Sequence, residues 1–272
     1  MTIPPLLCEH PSTSAVRRGH RLVCVVCGSF WDVESRSASV QYDASYPEHR
    51  GHFDPQVGEL KVKSLMHWIE RAGVSLAGKH VLEVGFGGGT CLPYLTANAR
   101  KVSGIEANAS AIERVRQTGT TADLLQVGAL PERLSEPVDL WLFQDSFEHI
   151  PDPAPFMRWV VDNSAPRAEM LMVLPRADSR SQRLLGRFWP HKLPDHEFHW
   201  SQPGLVEFMA KRGFTLDRTF FPIKFASPQM VIAHLVHKVG GSDRLRGLLS
   251  GTGLAFPLNF GEMGLRLVRS AV

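Results

Sequence analysis

From about residue 60 onward, hydrophobic and polar residues alternate with two patterns, one typical of helices and one typical of strands. The segment LKVKSLMHWIERAG (60–73) carries apolar residues at helical spacing and ends at a glycine, which predicts a helix. Shorter apolar runs predict successive strands, with helical segments between most of them: HVLEV, KVSGIEA, ADLLQVG, VDLWLFQDS, EMLMVLP, TLDRTFFPI and MGLRLVRS. Strands and helices that alternate in this way predict an α/β fold, a mostly parallel sheet with helices on both faces.

The first predicted strand, HVLEV, runs directly into the glycine-rich turn GFGGGT (85–90). Ligands of α/β sheets bind beyond the carboxyl ends of the strands, so this turn is the leading candidate for a binding site. A loop for nucleoside triphosphates would end in Gly-Lys-Ser/Thr, and the turn contains no lysine. The dinucleotide pattern G-x-G-x-x-G would need a glycine where Thr90 stands. A tight turn without a ligand is the simple alternative.

Two acidic residues at strand ends narrow the choice of ligand. Glu83 precedes Gly85 by two positions, where a carboxylate would repel a pyrophosphate but suit an ammonium group. Glu106 ends the second strand about 20 residues after the glycines, where an acid can accept hydrogen bonds from two ribose hydroxyls. A ligand with a ribose, an ammonium group and no phosphate is S-adenosylmethionine.

With these motifs the chain resembles the class I S-adenosylmethionine-dependent methyltransferases. VLEVGFGGG is similar to their first motif, GIEAN to the second, and LLQVGALPE to the segment that flanks the adenine. VDLWLFQDSFEHIPDP and HEFHWSQPGLVEFMAKRGF resemble the branch that contains the ubiquinone O-methyltransferases. The resemblance implies a Rossmann-like, mostly parallel seven-stranded sheet over residues 61–272.

The resemblance also implies a set of cofactor contacts around the strand ends. These residues are Glu83, Gly85, Phe86, Gly87, Gly89, Glu106, Ala107, Gly128, Ala129, Gln144 and Asp145. If the segment between the N-terminal module and the first helix runs across the cofactor, Tyr46 lies near the methionine end. Motifs typical of amino-group methyltransferases and of cytosine C5 methyltransferases are absent, and QDSF stands where the former would lie. The resemblance to the small-molecule branch, together with the nearby histidines, implies a small-molecule acceptor, methylated at oxygen rather than at nitrogen or carbon.

Methyl transfer from a sulfonium is an in-line displacement, in which the protein chiefly aligns the nucleophile, the methyl carbon and the sulfur. A hydroxyl acceptor also loses a proton, and histidine titrates in the right range to take it. His149, in the loop after the fourth strand, is the first candidate for the base. A structural histidine that fixes this loop is the alternative. Asp145 on the same loop would hold the methionine end or the acceptor.

The segment WPHKLPDHEFHWS (189–201) brings three histidines into a short stretch. Their irregular spacing, without a carboxylate pattern, argues against a catalytic metal. We interpret the segment as an acceptor-side wall or lid, with His196 and His199 as further candidates for the base. The preceding stretch carries Arg176, Arg180, Arg183 and Arg187. A solvated helix face explains them simply, and recognition of an anionic acceptor is the sharper hypothesis.

The first 35 residues hold three of the four cysteines. Cys8-x-His10 and Cys24-x₂-Cys27 resemble the two half-sites of a zinc ribbon, and His20 competes for the fourth position. Structural zinc with three sulfur ligands and one nitrogen would stabilise a segment too short for its own core. Unligated thiols are the alternative. We predict a zinc-ribbon-like module over 1–35 and a linker or lid over 36–60.

Composition restricts the partners and the compartment. The chain has 272 residues, 43% of them hydrophobic and 21% charged, as expected for a folded globular protein. Its net charge of +3 is too weak to indicate a nucleic-acid partner. A signal-peptide pattern and a long apolar run are both lacking, so we expect a cytoplasmic protein without a membrane partner. Nothing in the sequence indicates the oligomeric state.

Together these features predict a methyltransferase that acts on a small molecule with a histidine as general base. One alternative is an RNA- or protein-modifying methyltransferase that docks through the zinc ribbon. Another is a protein of the same fold that uses the cofactor for a non-methylating reaction. An NAD-dependent enzyme with an imperfect glycine turn stays a minor alternative.

Overall fold

The computed structural model describes residues 6–33, 55–193, 196, 198–228 and 255–270. Its helices are α1 (Pro55–Ala72), α2 (Leu92–Asn98), α3 (Ala109–Gln117), α4 (Pro153–Asp162), α5 (Arg180–Leu185) and α6 (Gln202–Ala210). Its strands are β1 (Ala15–Arg18), β2 (Arg21–Cys24), β3 (Phe30–Asp32), β4 (His80–Val84), β5 (Lys101–Glu106), β6 (Asp123–Gln126), β7 (Val138–Gln144), β8 (Ser164–Pro175), β9 (Phe198–His199), β10 (Phe214–Phe220), β11 (Lys224–Ala226), β12 (Phe256–Leu258) and β13 (Glu262–Arg269).

Seven of these strands form the central sheet, in the order β10-β13-β8-β7-β4-β5-β6. The strands from β8 to β6 in this order are parallel, whereas β13 pairs antiparallel with both β8 and β10. The predicted seven-stranded, mostly parallel α/β fold is therefore confirmed. Because β4 lies between β5 and β7, the strand order reverses at β4, and folds of this kind bind their ligands beyond the carboxyl ends of the strands at such a point.

Side chains that alternate along the buried strands pack into two separate hydrophobic cores, one on each face of the sheet. On β4, Val81 packs with α1, α2 and α3, and its neighbour Leu82 packs on the opposite face of the sheet. That opposite core contains the apolar residues of α4 and α6, among them Met157 and Phe208. Burying such side chains contributes roughly 1.5–3 kcal/mol each, so both faces hold the strand ends rigidly in place.

A second, four-stranded sheet has the order β1-β2-β3-β9. Its last strand comes from far along the chain, and Phe30 of β3 pairs with His199 of β9. The predicted module over 1–35 is therefore joined to the methyltransferase domain by a shared sheet.

The predicted linker over 36–60 needs a correction at its end. Residues 55–60 form the first turns of α1, whose opening sequence PQVGE is too polar to show a helical pattern. Proline is favoured in the first turn of a helix, which explains the start at Pro55. The rest of the linker lies outside the described residues. Among the described helices, none has the length and apolar character needed to cross a bilayer.

Candidate functional site

The glycine turn after β4 adopts backbone conformations that favour glycine. Gly85, Gly87 and Gly89 have φ angles of 75°, 55° and 69°. A Cβ atom added to Gly85 would lie 2.7 Å from Cβ of Ser146, and one added to Gly89 would lie 2.9 Å from the Val115 side chain. The turn thus lies directly against the loop after β7 and against α3. The ring of Phe86 is buried against Gly104, so only its backbone can face a ligand.

Glu106, expected to hold the ribose, lies beside this turn. Its carboxylate accepts hydrogen bonds from the backbone N–H groups of Gly87 (2.8 Å), Ala107 (2.8 Å) and Asn108 (3.0 Å). A carboxylate offers about four acceptor positions, so one remains for a hydroxyl unless the side chain turns outward. Glu106 therefore fixes the turn and the start of α3 in addition to any contact with a ligand.

Glu83, at the end of β4, is 4% exposed. Gln144 donates a hydrogen bond of 2.7 Å to Oε1 of Glu83, whereas the buried Oε2 has no hydrogen-bond partner among the described residues. Burial raises the pKa of this carboxyl group to about 8. A buried carboxylate oxygen without a donor is costly, and an ammonium group would relieve that cost. The residues present therefore fit the methionine end of S-adenosylmethionine.

The other predicted cofactor residues fall along the same edge of the sheet. Gly128 and Ala129 follow β6 and are exposed there, and Gly128 has a φ angle of 89°. Gln144 ends β7 and reaches across to β4. The structure thus brings together the predicted contacts after β4, β5, β6 and β7. Tyr46 lies outside the described residues.

Asp145 follows β7 with a positive φ of 50°, a conformation that is uncommon for a residue other than glycine. Its carboxylate accepts a hydrogen bond of 2.7 Å from Nζ of Lys224, and the same ammonium lies 3.1 Å from Glu262. His191 completes the group at 3.0 Å from Glu262. Burial opposes the ionisation of Glu262, yet Lys224 and His191 hold its pKa well below the usual range. Burial also lowers the pKa of Lys224, but Asp145 and Glu262 raise it above its ordinary value.

Sequence reasoning missed Lys224 and Glu262. Lys224 stands 79 positions after Asp145, on a short strand that no local pattern predicts. Glu262 is the first residue of β13, and the sequence pattern indicates only the apolar run that follows it. Neither residue belongs to a motif, so only the folded chain reveals them.

The predicted histidines form a cluster beside this network. The ring centroids of His149 and His196 are 4.6 Å apart, and those of His196 and His199 are 6.1 Å apart. Nδ1 of His196 donates to the carbonyl of His191 at 2.8 Å, and its Nε2 lies 3.9 Å from Glu148. Burial lowers the pKa of His196 well below its usual value and that of His199 to about 3. His149 is only partly buried.

This cluster also has a composition that a metal ion could use. One donor atom from each of Glu148, His149 and His196 lies within 4.8 Å of the others. In the sequence, His191, His196 and His199 form the possible metal group. The folded chain instead brings His196 together with Glu148 and His149, which lie in the loop after β7.

The arginines that precede this segment divide into two kinds. Arg176 makes a two-pronged contact with Asp178, at 3.1 and 2.7 Å, so its charge is already compensated. Arg180 and Arg183 lie exposed on α5. These positions agree with a solvated helix face, and the side chain of Arg187 lies outside the described part of the structure.

The four predicted zinc ligands Cys8, His10, Cys24 and Cys27 come together, with donor atoms within 4.8 Å of one another. Nδ1 of His10 lies 3.4 Å from the sulfurs of both Cys8 and Cys24. Tetrahedral zinc with the usual bond lengths separates its nitrogen and sulfur ligands by roughly 3.5 Å, so the group fits zinc. Nε2 of His10 lies 3.0 Å from Glu207, the kind of carboxylate partner that orients a ligating histidine. His20 is not part of the group.

This Cys/His group is tied to the acceptor-side segment through several contacts. Ser29 accepts a hydrogen bond from the backbone N–H of Ser201 at 2.9 Å, and the rings of Phe30 and His199 stack with centroids 4.6 Å apart. The buried Asp32 lies 3.1 Å from Lys192. The N-terminal residues therefore support the wall that carries the predicted histidines.

Comparison with known proteins agrees with this architecture. A family model described as a methyltransferase domain matches residues 58–219. The chain belongs to this family, and with its glycine turn and acidic strand ends it is a class I S-adenosylmethionine-dependent methyltransferase.

Curated relatives match a shorter part of the chain. The ubiquinone biosynthesis O-methyltransferase of Pseudomonas paraeruginosa (strain DSM 24068 / PA7) is 36% identical over 100 residues, which cover 34% of this chain and 42% of that protein. The enzyme of the same name from Pseudomonas putida (strain ATCC 700007 / DSM 6899 / JCM 31910 / BCRC 17059 / LMG 24140 / F1) is 33% identical over 119 residues, or 41% and 49% of the two chains. The matches thus span about half of the relatives' length or less.

Solved structures share the fold. The complex of the Haloferax volcanii Trm112 methyltransferase activator with a putative methyltransferase contains a chain with a TM-score of 0.55 and 14% identity, covering 85% of this chain and 100% of that one. Magnesium protoporphyrin IX methyltransferase from Synechocystis PCC 6803 with bound S-adenosylhomocysteine gives a TM-score of 0.50 at 15% identity, covering 79% and 84%. At such identities the likeness concerns the fold alone.

Proposed function

We propose that the protein transfers the methyl group of S-adenosylmethionine to a hydroxyl oxygen of a small-molecule acceptor. The observation that carries the proposal is the contact between the glycine turn and the loop after β7. A Cβ atom on Gly85 would lie 2.7 Å from Ser146, which stands between Asp145 and His149. A cofactor held by the turn would therefore lie beside the loop that carries the predicted base.

His149 is the residue that takes the proton of the acceptor hydroxyl. The acceptor oxygen forms a bond to the methyl carbon as the bond from that carbon to sulfur breaks, and S-adenosylhomocysteine leaves. His196 and His199 are poorer bases because burial lowers the pKa of each. They support His149 as neighbours, while Lys224 holds Asp145 in place at the edge of the cleft.

Oxygen as the target is supported by the curated relatives, which are named as ubiquinone biosynthesis O-methyltransferases. Those names describe whole proteins, of which this chain matches about half or less. A match over so small a share of both chains supports the reaction type more than the acceptor. A phenol or catechol, with or without a carboxylate, is the acceptor class to test first.

The test is formation of S-adenosylhomocysteine with a panel of catechols, phenols and amines, including 3,4-dihydroxybenzoate. We expect turnover with a hydroxyl acceptor and a loss of about 100-fold or more in His149→Ala, since a general base contributes roughly 10²–10⁴-fold. His67→Ala, on α1 and outside the histidine cluster, serves as the control. Turnover with RNA, protein or amines only would contradict the proposal. Activity that is abolished by a chelator and restored by Mg²⁺ or Mn²⁺, while the zinc content of the protein stays unchanged, would assign the Glu148, His149 and His196 cluster to metal binding instead of proton transfer.

We also propose that Cys8, His10, Cys24 and Cys27 hold a structural zinc ion. The converging donor atoms and the carboxylate of Glu207 behind His10 support this assignment. Zinc there would stabilise the β1-β2-β3-β9 sheet and, through it, the acceptor-side wall.

A further inference from the structure

A buried ion pair joins the four-stranded sheet to the acceptor-side wall. Asp32, the last residue of β3, is 0% exposed, and one of its carboxylate oxygens lies 3.1 Å from Nζ of Lys192. The side chain of Lys192 is itself only 16% exposed. Separating two such charges leaves each of them poorly solvated, which is far more costly than breaking an ion pair on the surface. The pair therefore fixes the distance between β3 and the segment that carries Lys192.

The turn that carries Lys192 is also held to the start of β13. Nε1 of Trp189 donates a hydrogen bond of 2.8 Å to the carbonyl of Phe260. Nε2 of His191 lies 3.0 Å from Glu262, whose carboxylate accepts a hydrogen bond of 2.7 Å from the backbone N–H of Phe260. The backbone N–H of Lys192 closes the turn by donating to the carbonyl of Trp189 at 3.0 Å. Movement of this turn would therefore displace Glu262.

Glu262 connects the turn to the loop after β7. Its carboxylate lies 3.1 Å from Nζ of Lys224, and the same ammonium donates a hydrogen bond of 2.7 Å to Asp145. Asp145 has a positive φ of 50°, a conformation that persists only where the surrounding structure holds it. A continuous network of ion pairs thus links the four-stranded sheet to the residue after β7, with a single step through the backbone of the turn.

We propose that Asp32 and Lys192 are positioning residues for the acceptor site. Through the network they hold Asp145, and with it the loop that carries His149, in the conformation that receives the acceptor. The inference rests on the proposed function, because it assigns that loop to the acceptor. The link between the sheet and the loop can nevertheless be measured without any acceptor.

Hydrogen exchange of the full chain measures this link, because coupling between distant groups has to be shown and not only traced through contacts. The backbone N–H groups of Asp145 and His149 donate hydrogen bonds of 2.8 and 3.2 Å, so their exchange reports on the loop. In Asp32→Asn/Lys192→Met these two groups should exchange about tenfold faster, since local opening follows the loss of local contacts. Exchange in the glycine turn should change by less than about twofold.

The double variant is the decisive one because it removes both buried charges together. Lys192→Met alone would leave a buried carboxylate without this ammonium and would lower the stability of the whole chain. Lys192→Arg should keep the exchange of the loop slow, since arginine also pairs with carboxylates.

Lys79→Met/Glu169→Gln is the matched control. It removes another ion pair of low exposure, with side chains that are 21% and 13% exposed, at the amino ends of the sheet strands. Exchange in the loop after β7 should stay within about twofold of the wild type in this control, because distant sites without shared partners act independently.

Kinetics separate a positioning role from a loss of folded protein. With a hydroxyl acceptor that the wild type methylates, Asp32→Asn/Lys192→Met should raise the acceptor KM about tenfold and change kcat by less than about twofold. Loss of folded protein would lower the apparent kcat at an unchanged KM. The affinity for S-adenosylhomocysteine should stay within about twofold of the wild type, because the glycine turn lies outside the network.

Three results would overturn the inference: unchanged exchange in the loop of the double variant, equal acceleration in the loop and the glycine turn, or an unchanged KM despite faster exchange. Absence of methyl transfer in the wild type would instead overturn the proposed function. In that case faster exchange confined to the loop would still support the link from Asp32 to Asp145.

Discussion

The cofactor half of the site and the proposed acceptor half are built in different ways. The cofactor half consists of strand ends and the turns that follow them, and Glu83, Gly85 and Glu106 lie within one short stretch of sequence. The acceptor half joins residues from distant parts of the chain: the Ser29 and Ser201 hydroxyls meet at 3.0 Å although 172 positions separate them. Local backbone geometry thus defines one half, whereas tertiary packing defines the other.

This difference predicts that mutations in one half of the site impair that half and leave the other nearly unchanged. Damage to the glycine turn should abolish cofactor binding. Damage to the N-terminal Cys/His group or to Lys224 should destabilise the acceptor half and leave the cofactor affinity nearly intact. Five variants test this separation, in order of decreasing expected effect.

Cys24→Ser should have the largest effect, because it removes one of the four proposed zinc ligands. We expect the bound zinc to be lost and the free energy of unfolding to fall by more than about 4 kcal/mol, since loss of a structural metal is among the most destabilising changes. Metal analysis and thermal unfolding measure both quantities. Cys91→Ser is the matched control, because Cys91 is buried beside Gln144 and lies outside the group. Equal zinc content in the two variants would contradict the assignment.

Lys224→Met should destabilise the protein by about 3 kcal/mol, because it removes the ammonium between Asp145 and Glu262 and leaves the carboxylate of Glu262, which is 5% exposed, with only the His191 ring beside it. Denaturant unfolding measures the change. The double variant Lys224→Met/Glu262→Gln should recover part of the stability, since it removes the buried charge as well. An additive loss in the double variant would show that the two residues do not interact.

The network around Lys224 also predicts a dependence on pH. The pKa of Glu262 is depressed in the folded state, so its contribution to stability is present above its ordinary value of 4.5 and is lost as pH falls through the depressed value. Acid unfolding of Glu262→Gln should accordingly be less steep than that of the wild type. Identical acid transitions would contradict the described ion pairs.

Gly85→Ala should weaken S-adenosylhomocysteine by about 100-fold, equivalent to about 2.7 kcal/mol. The added methyl group would overlap the Ser146 side chain at 2.7 Å and would occupy a strained positive φ. Gly119→Ala is the control, because Gly119 has a φ of 74° but no atom within 4 Å of the added Cβ. It should cost about 1 kcal/mol of stability without changing the affinity. Similar affinities in both variants would show that the turn does not bind the cofactor.

The smallest expected effect is a pH dependence of the cofactor affinity, which arises from Glu83. Its pKa of about 8 means that the free protein carries an extra proton at neutral pH, which an incoming ammonium group displaces. The affinity for S-adenosylhomocysteine should therefore rise about tenfold between pH 6 and pH 7, and Glu83→Gln should remove this rise. The free energy of unfolding of the cofactor-free protein should fall as the pH rises from 4.5 to about 8, because the folded state binds the extra proton and loses it over this range. A wild-type affinity that does not change with pH would contradict the raised pKa.

The same comparison explains which parts of the structure could be predicted from the sequence. The seven-stranded sheet was predictable because strand periodicity acts locally, and the glycine turn could be located at the end of β4 for the same reason. β9 was not predictable, since its two residues become a strand only by pairing with β3. Asp145 was singled out, but Lys224 was not, because their contact joins elements without a shared motif. The three backbone donors on Glu106 also appear only in the folded turn.

The central claim is that the turn after β4 binds S-adenosylmethionine and not a dinucleotide. Calorimetric titration of the full chain with S-adenosylmethionine, S-adenosylhomocysteine and NAD tests it most directly. The account predicts binding of the first two with one site per chain, a loss of affinity in Glu106→Ala, and no binding of NAD. Binding of NAD with no response to the other two ligands would contradict it and would assign the glycine turn to a dehydrogenase-like site.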